Sequence, residues 1–467
     1  MTPFAIFILF YFFAGLFFTK NLKHWFSSQL IMFIFISVFV EVGFFLNIES
    51  LRIEYWQISS ILTFFSSLFI LSKNPLINRK FTLYILTATF GLFLLIFFPV
   101  HELIVVGPNG VNEDVIAGEA NYKEPIFSKF SIFYFGFLFI QAFCVQVVYN
   151  SFNLKDYYKL IHRLAFCVKF ILVIVLLEFF IKISFNDLFS EILVQIFGEG
   201  TSQSISRIIN DKNMLQGLTR EGSHLVYSLY TGIVILFVDF LISNKNKVNI
   251  FFIFIAVIEL SMSMAFTTLL VLAMLLLMYF VYYYYIKRSD VARPKVLRSI
   301  IQVCLIFGIL VAVSIFFGDV YYFDRFESSY DDFMAFVIYG KNDAFSGMAA
   351  LSSTTARVYS VIDNISLLQY RPLFGVGFGT NVSHGSTALL LGEFGILGLI
   401  SYVYFYFYSI PVPSRTAYAL LIFIWLTGNI IVSKPSLFLR IDSFLMFVCF
   451  SIVINVGHLK MKKVKSC

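Results

Sequence analysis

Seven residues have types and positions that could do chemistry together: Arg220, His224, Arg325, Arg357, Arg371, His384 and Glu393. Arginine stays charged at physiological pH and forks onto phosphate through two parallel hydrogen bonds. Histidine titrates near neutrality and suits the work of a general base. A phosphate-bearing ligand at the outer membrane face would explain arginines gathered there. Arg220 and Arg357 are the first choices for the phosphate, with Arg371 and Arg325 behind them. His384 is the first choice for the base and His224 the alternative. Glu393 follows His384 at about 13 Å along a helix rising 1.5 Å per residue, so it either orients His384 or acts as a polar anchor. No Asp-x-Asp pair accompanies them, and Asp331–Asp332 read as a solvated patch. No metal and no cofactor are expected.

These residues must be carried by apolar helices. The 467 residues are 59% hydrophobic and 13% charged, far more apolar than a soluble domain. A bilayer core needs about 20 apolar residues per helical crossing. The fold class expected is an all-α polytopic membrane protein, one integral membrane domain over 1–467, with about 13 transmembrane helices. The approximate spans are 3–19, 27–47, 55–72, 81–100, 129–150, 163–182, 223–242, 248–263, 266–286, 299–317, 386–410, 417–433 and 441–457. The N-terminal apolar run lacks a basic flank and a small-residue cleavage site, so it reads as a retained span. The 61 Phe read as lipid-facing filler. The five cysteines, Cys144, Cys167, Cys304, Cys449 and Cys467, suggest neither a disulfide nor a metal site. A net charge of +7 reflects basic cytoplasmic loops and not a nucleic-acid surface.

Lys and Arg alternate between loops: Lys20 and Lys23, Arg79 and Lys80, Lys155 to Arg163, Lys287 to Arg298, and the tail from Lys460 define the cytoplasmic side. Three long segments, 101–128, 183–222 and 318–385, then lie on the other side as extracytoplasmic loops. Arg207, Arg220, Arg325, Arg357 and Arg371 all fall there. Residues 186–197 have apolar positions at helical spacing and suit a helix lying in the interface. Glu41, Glu178 and Glu259 fall near the outer helix ends, where they either pair with loop arginines or reach water. Lys169 and Asp239 fall towards the inner side.

The densest motif runs from 353 to 398. Ser353 and Thr354 cap a helix bearing Arg357, and Arg371–Pro372 ends it. Gly375, Gly377 and Gly379 permit a tight, backbone-exposed turn. His384 opens an apolar helix carrying Glu393 and Gly395-Ile396-Leu397-Gly398. An earlier patch reads Arg220-Glu221-Gly222-Ser223-His224-Leu225.

Together these two patches resemble the bacterial polysaccharide polymerases of the Wzy type and the related O-antigen ligases. In that family an Arg-bearing helix leads to a Pro-Leu-x-Gly-x-Gly turn, matched here by Pro372 to Gly377. A His, a Glu and a Gly-Ile-Leu-Gly step follow, as His384, Glu393 and Gly395 to Gly398 do here. The earlier patch is similar to the family's Arg-x-x-Glu-Pro-Ser-His-Leu, with shortened Arg spacing and Gly222 in place of Pro. The segment 260–268 lacks the Arg that many members carry there.

The resemblance implies a metal-independent glycosyltransferase at the outer face of the bacterial cytoplasmic membrane. It would polymerise polyprenyl-pyrophosphate-linked oligosaccharide units, donor and acceptor both lipid-linked, into O-antigen or capsular polysaccharide. It also implies, as partners, the lipid bilayer and a chain-length regulator and flippase of the same pathway. A ligase moving glycan from the lipid carrier to a final acceptor shares these motifs. A flippase or exporter of lipid-linked sugars is the alternative of another class; it predicts charges near the bilayer midplane and internal repeats. A non-enzymatic assembly protein would not need the Arg/His set.

Overall fold

A computed structural model describes residues 2–19, 21–48, 51–71, 78–101, 105–106, 122–184, 188–198, 215, 217–219, 222–243, 247–262, 267–286, 353–380, 385–431 and 441–465. Its helices are α1 (Pro3–Phe18), α2 (Leu22–Phe39), α3 (Tyr55–Leu71), α4 (Arg79–Phe97), α5 (Lys129–Ser151), α6 (Leu154–Ser184) and α7 (Leu188–Phe197). They continue with α8 (Gly222–Ile242), α9 (Lys247–Met262), α10 (Thr267–Val281), α11 (Ser353–Ser366), α12 (Ser386–Tyr408), α13 (Arg415–Ile431) and α14 (Asp442–Lys465). Among the described residues six helices are long and apolar enough to cross a membrane, and five shorter apolar helices accompany them. The chain is an α-helical protein embedded in a membrane.

The two faces of α6 show why. Phe166, Phe170, Val173, Leu177 and Phe180 are exposed at alternating steps of four and three, a single stripe on a helix. Leu164, Val168, Ile171, Leu172 and Val175 on the other side are buried. Ile6, Phe10, Phe13 and Phe17 form a second exposed stripe on α1. Water would penalise such stripes, whereas lipid does not. Phenylalanine also fills the interior, as Phe26, Phe33, Phe39 and Phe405 do, so the surplus is not lipid-facing throughout. Helix α8 packs on α2, α6, α9, α10 and α14, and its side chains join one continuous core with all of these.

Several expectations change. The span foreseen at 27–47 stops being helical at Phe39. The amides of Glu41 and Val42 bond to the carbonyl of Leu218 at 2.8 and 3.2 Å instead of continuing the helix. The chain then turns at Gly43 into a hairpin, β1 (Leu46–Ile48) against β2 (Leu51–Ile53). A second pairing joins β3 (Val105–Val106) to β4 (Tyr122–Lys123); both are short pairings in connections between helices, and the fold is all-helical in class. Helix α6 begins well before 163, because Asn153 Oδ1 caps it, accepting from the amides of Lys155 and Asp156 at 3.0 and 3.1 Å. Tyr282–Ile286 continues α10 as a π turn. Within the segment 186–197, Leu188–Phe197 is helical as α7, with Phe189, Leu193 and Phe197 buried against α1 and α6. The span at 299–317 and the turn at 107–110 lie outside the described residues.

Thr2 hydrogen-bonds Tyr55 at 2.6 Å, and Tyr55 bonds the carbonyl of Phe197 at 3.0 Å. The start of α1, the end of α2 and the starts of α3 and α8 therefore share one end of the bundle. The end of α4 and the starts of α5 and α12 lie at that end too, since the helices alternate in direction. We call it the loop end.

Candidate functional site

At the loop end His224, on the first turn of α8, places Nδ1 2.6 Å from Oε2 of Glu41. The Glu41 side chain is almost wholly buried and that of His224 is 22% exposed. Glu41 occupies the point where α2 gives way to the Leu218 contact, so the same backbone change that ends the helix aims the carboxylate at α8. Ser228, one turn along, donates to the carbonyl of Val38 at 2.6 Å and fixes α8 against α2. An imidazole whose Nδ1–H donates to a carboxylate keeps Nε2 as its basic atom. The described partner of Glu41 is His224; Arg207, Arg220 and Arg325, among the loop arginines expected to meet such carboxylates, lie outside the described residues.

The described parts of the 353–398 motif, 353–380 and 385–398, pack against each other. Helix α11, bearing Arg357 near its start, lies against α12. It does not run to Arg371. It ends at Ser366 and tightens into a 3₁₀ turn at Leu367–Gln369, because the residue before Pro372 disfavours the α conformation. The turn after it is buried from Gly375 to Thr380 and is not backbone-exposed as foreseen. Helix α12 is broken at Gly395, which has φ 70° and ψ −171°. An unbroken helix would bond the amides of Ile396 and Leu397 to the carbonyls of Gly392 and Glu393. Here those amides bond the carbonyls of Pro372 and Leu373 at 2.9 and 3.0 Å. The freed carbonyls accept from Val376 and Gly377 at 2.9 and 3.1 Å. Every displaced group is satisfied, as a membrane interior demands. A Cβ on Gly375 would lie 2.3 Å from the carbonyl carbon of Glu393, so the Gly-x-Gly spacing exists to let one backbone enter another.

Arg371 sits where this turn meets the end of α4. Its Nη1 donates to the carbonyl of Leu94 at 3.4 Å, where the helix dipole favours a cation. Burial lowers its pKa from the ordinary arginine value, yet a guanidinium remains charged. Glu393 is 1% exposed and lies two residues before the break, a position suited to a polar anchor inside the bundle. Arg357 is described only as a backbone position on α11. Arg220, Arg325 and His384 lie outside the described residues, and so does any pairing of His384 with Glu393.

Sequence reasoning missed several partnerships. Glu178 Oε1 pairs with Lys182 Nζ at 2.7 Å, both buried; their separation by four residues on a helix was the available signal. Glu178 Oε2 also accepts from the amide of Gly217 at 2.6 Å. Glu259 is fully buried on α9 within electrostatic range of Glu178. At the opposite end Asp239, fully buried, accepts from Ser243 Oγ at 3.1 Å and Asn249 Nδ2 at 2.8 Å, and meets His162 Nδ1 at 3.0 Å. Nothing in the spacing joins residues 162 and 239. Among the described residues no three His, Cys, Asp or Glu side chains converge to hold a metal.

Chemically, the described residues provide a carboxylate-held imidazole and a half-buried guanidinium at one end of a membrane bundle. The comparisons with known proteins add no relative: no family model matches the chain, and no curated protein or solved structure is significantly similar to it.

Proposed function

We propose that this chain polymerises polyprenyl-pyrophosphate-linked oligosaccharide units at the outer face of a bacterial cytoplasmic membrane. In this reading the chain crosses the bilayer about thirteen times, and the loop end faces outward. The observation that carries it is the His224–Glu41 pair, which lies at the same end as the turn that locks the Arg357-bearing helix to the Glu393-bearing one.

The acceptor's sugar hydroxyl attacks the anomeric carbon of the donor. The new C–O bond forms as the bond to pyrophosphate breaks, and the lipid pyrophosphate leaves with the electron pair. His224 Nε2 takes the hydroxyl proton, and Glu41 stabilises the imidazolium that results. His384 is the second candidate for this step. Arg220, Arg357, Arg371 and Arg325 are the cations offered to the leaving group, whose growing charge they stabilise more than the ground state. Arg371 already lies against α4, and it would divide its donors between Leu94 and the phosphate.

The test is deletion of the gene in the encoding bacterium, with the surface glycan resolved on a gel. Loss of the ladder down to single capped repeats, restored by wild-type chain but not by His224→Ala at equal membrane abundance, is the expected result. Long chains retained on the carrier lipid would assign a ligase instead. Repeats stranded on the cytoplasmic leaflet would assign a flippase. An unchanged ladder would end the proposal.

A further inference from the structure

We propose that the buried Glu178–Lys182 pair is a positioning device for His224, acting through the short strap at residues 215–219. Its effect on catalysis rests on the glycan-polymerase reading; its effect on the position of His224 does not.

The links are continuous. Leu215, Leu218 and Thr219 are buried, so the described strap residues are part of the packed interior. Two polar anchors tie its described residues to helices. On one side the Gly217 amide donates to Glu178 Oε2 at 2.6 Å. On the other the Leu218 carbonyl accepts from the amides of Glu41 and Val42. Glu41 in turn holds His224 at 2.6 Å. The strap thus joins the end of α6 to the end of α2, and its next residues are Arg220, Glu221 and the start of α8.

Charge is needed at Glu178 because a neutral acceptor holds a buried amide less strongly than a carboxylate does. A buried carboxylate is costly unless a cation and hydrogen bonds offset it. Lys182 supplies the cation, 2.7 Å from Oε1. Buried ion pairs contribute little net stability and are retained where they select one arrangement among several. The arrangement selected here is the strap seated under Glu41. Release of Gly217 would free the Leu218 carbonyl from the end of α2, and the carboxylate that orients the imidazole would lose its backbone support.

The experiment reads His224 directly. Membranes carrying the full chain are treated with diethyl pyrocarbonate, and ring modification is quantified by mass spectrometry, with exposed His101 as internal reference. In Glu178→Leu the modification rate of His224 relative to His101 should rise about tenfold, the equilibrium worth of a hydrogen bond to a charged group. Glu178→Gln keeps an acceptor for Gly217 and should show a smaller rise of about threefold; it carries the test if Glu178→Leu fails to accumulate. Wild-type labelling in the variants that accumulate overturns the proposal, even if the glycan ladder is lost. Raised labelling with a shortened ladder supports it. Raised labelling with a full ladder also supports the positioning role, and it removes His224 as the catalytic base in favour of His384.

Discussion

Substituting Gly375 by alanine tests whether the break in α12 is held by the inserted turn. Gly375 has φ 68°, a conformation that costs an L-residue roughly 1–2 kcal/mol. Its new Cβ would lie 2.3 Å from the Glu393 carbonyl carbon and 2.5 Å from its oxygen. Both are backbone atoms, so the turn must withdraw. Withdrawal leaves the amides of Val376 and Gly377 without the carbonyls they now reach, at about 1–3 kcal/mol per buried donor. The combined cost is about 3–8 kcal/mol. At roughly 2 °C per kcal/mol for a large domain, the unfolding midpoint should fall by at least about 6 °C. The assay is thermal unfolding of the full chain in detergent, followed by tryptophan fluorescence. Gly136→Ala is the control, because a Cβ at Gly136 meets nothing within 4 Å and alanine favours a helix over glycine. Equal midpoints for the two variants would refute the interlock.

Two further substitutions probe other parts of the bundle. Asp239→Ala removes the shared acceptor of Ser243, Asn249 and His162 and should lower stability by about 2–4 kcal/mol, with Asp239→Asn losing less; a wild-type midpoint in Asp239→Ala would show the cluster to be unimportant. Gly428→Ala should be tolerated within about 1 kcal/mol despite a Cβ only 1.8 Å from Met274 Cε, because a methionine side chain can swing aside; a midpoint loss as large as that of Gly375→Ala would contradict this.

How far the sequence could be read depended on whether an interaction was local. Helices α1, α3, α5 and α13 lie within a few residues of the apolar runs that foretold them, since lipid selects apolar composition along the chain. The helix-interrupting glycines of the 375–398 stretch were visible as glycines. Their purpose was not, because the amides they bring to Gly392 and Glu393 come from a different segment. The early end of α2 was hidden for a similar reason: residues 40–46 are almost entirely apolar, and only the distant Leu218 carbonyl diverts their backbone. Glu178 and Lys182 were legible as an i, i+4 pair. Glu41 with His224 was not, because 183 residues separate them.

By itself, then, the sequence determined that this is a helical membrane protein, roughly where its helices run, and where its arginines and histidines fall along the chain. These are properties of composition and of spacing within one helix. Tertiary structure alone decided which carboxylate holds which histidine, that the glycine turn is buried inside a broken helix, and that a strap anchored by Glu178 reaches the end of α2. Such partnerships follow from which helix ends meet, and a one-dimensional pattern in which most positions are apolar carries little information about helix neighbours.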